Sequence, residues 1–438
     1  MPPGKCFSGP AAALVLTLFL VLPATAPAFL GDRDGALGLD GSLRVIGAVS
    51  RNYDFPYYFG RRDTDDYLQA LLRLTLAGHP SDRLSYEVHL VSALTYASAG
   101  RPGQGPGLAG DGDRTRYRAL DKYWEWNHEQ YTTGRTWFDR FNVRLALPRA
   151  DLTVGRQAIT LGKAFFWNPL DVYLPFDPAQ FDRDYKPGVD GIRLDVYLGR
   201  FSGLTFIWVL GRELDLNNQY RHGDRTWDAS WYGSSLLARY YADLAGWDLA
   251  VQGGKIYGGW QLGFGLVGER DGLELRAEAA WFHPEDSPLL SWPPSAPVFE
   301  EHLTAVLGLG YRFENSLHLE AEFLYHGGGE TEDLTLGLLR QMLGAAVHAG
   351  RRLAGFSASY ELTPLITGRL TVIHSLTDSS TQVQPLVTWS LSDNSELVLG
   401  ASLNLGRRPR LDPLRGPVVQ SEFGAYPDTL FAEYKVYF

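Results

Sequence analysis

With 438 residues, a formal net charge of −10 and a pI near 5.5, the chain is too acidic for a nucleic-acid partner. It is long enough for about two or three soluble domains, yet one texture of alternating segments, many aromatics and many glycines runs from residue 40 to the end without a linker. The only cysteine, Cys6, lies at the extreme N-terminus, which excludes disulfides, thiol chemistry and cysteine-ligated metals from the rest.

The first element is a leader. Lys5 is followed by an apolar run over residues 11–22, AAALVLTLFLVL, and then by PATAPAFL with small residues at alternate positions. The run is too short to cross a bilayer as a helix and fits the core of a secretory signal peptide, expected over residues 1–28. Cleavage is placed after Ala28, because a cut after Ala26 would leave Pro27 at the new terminus. A short membrane anchor is the alternative. Cys6 precedes the apolar run and so does not sit where a lipidation site would. Residues 29–438 are then expected to form a single domain.

From Tyr67 onward apolar and polar residues alternate, the period of a half-buried strand. YLQALLRLTLAG sets Leu68, Ala70, Leu72, Leu74 and Leu76 against Gln69, Arg73 and Thr75. RLSYEVHLVSALTY sets Leu84, Tyr86, Val88 and Leu90 against Glu87, His89 and Thr95. RFNVRLAL sets Phe141, Val143 and Leu145 against Arg140, Asn142 and Arg144. GLELRAEAAWF, SLHLEAEFLYH and SELVLGASLNLG continue the pattern. Many runs reach about ten residues, the length a tilted strand needs to cross a bilayer, where soluble strands average about five or six. Tyr86, Tyr96, Trp137, Trp247, Trp260, Trp281, Tyr311, Tyr325, Tyr360 and Trp389 fall near strand ends, as in the aromatic girdles of membrane barrels.

The connections alternate between short (GHPSD, PRAD, GRFSG, DLAG, ERDG, FENS, LTPL, SDNS) and long, with IYGG and DSST as short members of the long class. This plan predicts an all-β fold: a transmembrane antiparallel β-barrel of about eighteen strands, with short periplasmic turns and long outer loops. The final stretch FAEYKVYF alternates to its last residue, with Tyr434, Val436 and Phe438 on one face. A last strand that pairs with the first closes the ring and leaves no free edge. The same stretch resembles the C-terminal signal of bacterial outer-membrane proteins, which the barrel assembly machinery reads. A soluble secreted β-sandwich is the alternative, and the strand lengths disfavour it.

On the polar phase stand charges of both signs. Arg73, Glu87, Arg140, Arg144, Arg156, Arg193, Arg239, Arg276 and Arg312 are the expected pore-lining residues, and their field would select solutes by charge. The early strands supply more arginine and the later ones more glutamate. If these groups merely satisfy one another, the lumen is plugged. Residues 163–189 form the most distinctive loop, rich in aromatics, proline and aspartate, which suits a packed structure more than a tether. It is expected to fold into the lumen as a constriction carrying Trp167, Asp171, Asp177, Asp182 and Asp184; a cap on the outer surface is the alternative. Asp177, Asp182 and Asp184 are donors of the kind Ca²⁺ takes, but they lack the spacing of a known loop motif, so no metal is expected.

GRQAITLG, residues 155–162, and GVDGIRL, residues 188–194, resemble segments of the alginate-export type of outer-membrane barrel. The resemblance implies an eighteen-stranded barrel with an arginine-rich lumen that passes an anionic polysaccharide, and places Arg156 and Gln157 in the family's marked strand. FFWNPLDVYLPFDP, between the two segments, departs from that family, which leaves the solute more open than the fold.

Enzyme signatures are absent. The histidines are scattered without metal-ligand spacing, and neither HEXXH nor GxSxG occurs. The expectation is an outer-membrane channel for polar or anionic solutes, with lipid and the assembly machinery as partners and no cofactor. Two other classes fit the same barrel: a sheath around a partner such as a multihaem cytochrome (the chain has no CxxCH of its own), and a plugged structural barrel or adhesin.

Overall fold

Alternating strands become a wall when each finds a neighbour on both edges. The computed structural model describes residues 30–31, 35–53, 63–99, 116–120, 122–176, 178, 183–213, 229–290 and 295–438. Among these, eighteen antiparallel strands close into one barrel. They are β1 (Gly38–Arg51), β2 (Thr64–Ser81), β3 (Leu84–Ala97), β4 (Thr132–Leu147), β5 (Ala150–Gln157) and β6 (Val189–Tyr197). Next come β7 (Ser202–Arg212), β8 (Ala229–Leu244), β9 (Trp247–Ile256), β10 (Gly259–Arg270), β11 (Leu273–Pro284) and β12 (His302–Arg312). The ring is completed by β13 (His318–His326), β14 (Arg352–Thr363), β15 (Ile366–Ser375), β16 (Thr381–Ser392), β17 (Ser395–Leu405) and β18 (Asp428–Tyr437). One helix, α1 (Leu334–Met342), lies in the long connection between β13 and β14. Among the described residues no helix is long and apolar enough to cross a membrane. The proposed leader, residues 1–28, lies outside the described residues.

Closure joins β18 to β1, paired from Ser42↔Tyr437 to Arg51↔Asp428. Gly41 and Phe438 extend the ladder, exchanging backbone hydrogen bonds of 2.7 and 3.0 Å. A Cβ on Gly41 would lie 2.6 Å from the Phe438 ring, so this position takes only glycine. The wall is apolar outside and polar inside. Leu262, Phe264, Leu307, Leu309, Phe356 and Leu403 are exposed outward, whereas Gln69, Thr75, Gln252, Glu278, Glu320 and Lys435 are buried on the inner phase. Trp137 departs from the expected girdle. It is in register with Val91 on the inner phase and packs with Val91 and Ala93.

β5 and β6 are short because the chain between them leaves the wall. The notch above them is filled by the preceding long connection. Its Tyr123–His128 strand pairs with β4, and residues 116–120 run along β6 and β7 through Asp190 N–H to Tyr117 O (3.0 Å) and Arg212 N–H to Arg116 O (2.8 Å). Arg156 and Asp190, from the two motif segments, lock this insert. Arg156 Nε and Nη2 grip the Asp190 carboxylate at 2.6 and 3.0 Å, while Nη1 and Nη2 donate to Phe138 O and Leu120 O at 2.7 Å each. Asp190 in turn accepts Leu120 N–H at 2.8 Å, so both backbone groups of Leu120 are held. Arg156 is thus not pore-lining. Its register partner is Phe141, on the outward phase, and its side chain is 0% exposed. The physical reason is that a bidentate guanidinium can close a gap in a hydrogen-bonded wall where no strand is present.

Arg156→Gln is expected to leave Asp190 buried without its cation, costing about 3–5 kcal/mol. The reconstituted barrel's urea midpoint should fall accordingly, and Arg312→Gln, at an exposed strand end, should leave it unchanged.

Candidate functional site

Backbone that enters a closed barrel finds no strand edge to pair with, so side chains on the wall must satisfy it. Residues 158–188, between β5 and β6, meet this need with two glutamates. Glu278 on β11 accepts the N–H groups of Lys163 (2.6 Å), Ala164 (3.2 Å) and Leu170 (3.3 Å). Glu322 on β13 accepts those of Phe165, Phe166 (2.8 Å) and Trp167 (3.2 Å). Glycines beside them clear the space. Gly265 is in register with Glu278, and Gly308 and Gly355 flank Glu322. A Cβ on Gly263 would lie 2.4 Å from Leu170, and one on Gly355 would lie 2.8 Å from Phe166. The loop crosses the lumen on these supports.

Other contacts fix the rest of it. Trp167 Nε1 donates to His348 Nε2 (2.8 Å), and His348 Nδ1 meets Glu422 (2.5 Å), tying three long connections together. Ile159, Leu161 and Tyr173 pack on Ile207, Val209 and Leu237, an apolar core inside the barrel near its long-loop end. Lys186 Nζ lies 2.6 Å from both oxygens of Asp171 and from Ile159 O. Burial pushes the Asp171 carboxyl up and the Lys186 ammonium down, and in each case the partner pulls back. Asp184 spans the closing seam: it accepts from Arg44 of β1 (2.8 Å) and from Lys435 (2.9 Å) and Tyr437 (3.0 Å) of β18. Burial alone would raise its carboxyl, but Lys435, Arg44 and Tyr437 outweigh it and hold the group below the usual carboxylate range. Asp177 and Asp182 lie outside the described residues.

The loop divides the lumen. Toward the short turns lies a compartment of about 960 Å³, bounded by Leu170 and Lys163 of the loop and by Glu87, Arg140, Arg144, Arg193 and Arg239 of the wall. Toward the long loops lies one of about 360 Å³, bounded by Asn168 and Asp171.

The expected pore residues therefore separate into groups. Arg140, Arg144, Arg193, Arg239 and Glu87 face the larger compartment. Most of their charge is met locally: Arg144 pairs with Asp151, Arg193 with Asp195 (2.8 Å), and Arg140 stands 3.8 Å from Glu87 and donates to Lys186 O. Arg239 instead donates to the neutral amide of Gln252 (2.9 Å). Arg73 lines neither compartment. It is buried beneath Tyr185, whose ring centroid is 4.1 Å from its guanidinium, and is paired with Asp139 (2.8 Å). Arg276 is likewise enclosed, between Glu274 and Glu320 at 2.6 and 2.5 Å. Arg312 is exposed at the short-turn end of β12.

The sequence reading missed Glu278 and Glu322 as loop anchors, together with the glycines that flank them. Two signals were present. Glycine recurs on the inner phase of LGFGLVG and VLGLGY, which only makes sense if something approaches that wall closely. LTFIWVL in β7 is apolar on both faces, the pattern of a strand covered on both sides.

Comparisons with known proteins agree with this architecture. No family model matches the chain, and no curated protein sequence matches it. The resemblance to alginate-export barrels stands on the GRQ and GVDG segments alone. Among solved structures, Acinetobacter baumannii OccAB2 is similar at 8% identity and TM-score 0.53, covering 93% of this chain and 99% of that one. Pseudomonas aeruginosa OccD3 (OpdP) is similar at 9% identity and TM-score 0.51, covering 96% and 97%. Acinetobacter baumannii OccAB3 is similar at 11% identity and TM-score 0.51, covering 91% and 99%. At these identities the likeness concerns the fold.

Glu322→Gln removes the charge from three N–H acceptor contacts and is expected to loosen loop docking by about 1.5–3 kcal/mol, read as faster protease cleavage within residues 163–176 of an otherwise intact barrel. Gly355→Leu should displace Phe166 and Trp167 and give the same signature. The Asp184 latch should persist at every pH above the usual aspartate value of about 3.9. Because the folded group titrates lower, its contribution is lost only as pH falls through that lowered value, whereas Asp184→Asn should loosen the loop end already at neutral pH. A pH series of loop cleavage that is identical in both proteins would remove Asp184 from this role.

Proposed function

We propose that this protein is a bacterial outer-membrane channel for small polar solutes, narrowed by its own 158–188 loop, and not an enzyme. The observation that carries the reading is the larger compartment: a polar, charge-lined space inside a closed barrel, interrupted by one anchored loop. The solved barrels it resembles are outer-membrane porins, which supports the same reading and the same location. A partner-sheath role is less favoured, because the chain's own residues occupy the centre of the lumen.

A modest preference for anions has a physical source. We rest it on Arg239, which faces the compartment and hydrogen-bonds the neutral Gln252 amide, while Glu278 and Asp171 act on it through space rather than by direct pairing. Acidic saccharides, as the alginate-export resemblance would suggest, are among the anions such a field favours.

Conductance of the refolded barrel in a planar bilayer under a salt gradient tests this. Stable steps with a reversal potential on the anion side are expected. Replacing Arg140 and Arg144 by Glu should shift the reversal potential toward cations; an unchanged value would mean that these residues do not line the ion path. Silence from a folded, heat-modifiable barrel would overturn the channel reading in favour of a plugged structural barrel.

A further inference from the structure

The two compartments differ in chemistry. The larger one is lined by ion pairs. The smaller one, of about 360 Å³, is lined by the amides of Asn168, Gln261 and Gln341 and by the rings of Tyr257, Phe282 and Phe299. That volume falls within the range of small-molecule sites.

Its charged groups are occupied. Both Asp171 oxygens lie 2.6 Å from Lys186 Nζ. Arg116 lies over the Tyr257 ring, 4.8 Å from its centroid, and donates to Gly344 O at 2.6 Å. An ionic solute entering this space would lose hydration and gain no unpaired counter-charge, so it is disfavoured. The side-chain amide oxygen of Gln341, on the last turn of α1, is buried and accepts no hydrogen bond. A buried acceptor in this state is destabilising, and a hydroxyl donor that reaches it would recover the loss. Aromatic faces beside amide groups suit a solute that is apolar on its ring faces and hydroxylated at its edge.

We infer that the long-loop compartment is a binding site for an uncharged saccharide, one or two sugar rings in size, held between the aromatic wall and the amides of Asn168 and Gln341. The inference rests on the channel reading for its purpose, since the site lies at the outer mouth and would concentrate solute ahead of the constriction. Its chemistry stands independently. Gln341 recognises a hydroxyl, the aromatic wall takes the C–H faces, and the adjoining charged compartment then receives a solute already selected for ring shape.

The test is titration calorimetry of the full, detergent-solubilised barrel with maltose, and with sodium glutamate as a small charged solute. Folding is verified by heat-modifiable migration. Saturable maltose binding without glutamate binding is expected, and Gln341→Leu should weaken it about fivefold. Arg144→Gln, in the other compartment, should leave it unchanged. Absence of saturable maltose binding to the folded barrel, tighter binding of glutamate, or equal affinity in Gln341→Leu would overturn the site. Conductance separates the two readings. A conducting barrel that ignores maltose refutes the saccharide site and leaves the channel intact, whereas a silent barrel that binds maltose refutes the channel and keeps the site.

Discussion

The capture of one loop's backbone by two wall glutamates sets the shape of this lumen. A closed barrel has no spare strand edges, so a chain that turns inward must bring its N–H groups to side-chain acceptors. Glu278 and Glu322 supply ionised acceptors, which make the stronger kind of hydrogen bond. They work because Gly263, Gly308 and Gly355 leave room for the loop and for the carboxylates themselves. With the loop held there, the lumen becomes two compartments, and the wall above β5 and β6 must be completed by another segment.

That second consequence explains the most recognisable sequence features of the chain. GRQ and GVDG contribute Arg156 and Asp190, and the pair's work is to hold Leu120 and the inserted segment in the gap the departing loop leaves. Charge that looks like pore lining is here part of the wall. Arg73, paired with Asp139, and Arg276, held between Glu274 and Glu320, follow the same logic, and a buried paired charge contributes little to a field in the water. The side chains left to act on a solute are fewer: Arg140, Arg144, Arg193 and Arg239 on one side of the loop, and an amide and aromatic set on the other. Two chemically different spaces in series can impose two different requirements on one solute.

The barrel itself was legible in the sequence. Period-two alternation over long runs, a short–long rhythm of connections and the FAEYKVYF repeat are local properties, and local geometry alone turns alternation into an inside and an outside. The phase of Arg140, Arg144, Arg193 and Arg239 followed from the same rule. Tertiary structure decided where that rule stops. Whether an inner-phase arginine meets water or a carboxylate depends on strands and loops far away in sequence, as with Arg73 and Asp139, or Arg276 and Glu320. Asp184 reaches a seam made of the first and last strands, a meeting that no local pattern encodes. Alternation fixes which way a side chain points; only the closed fold fixes what it finds there.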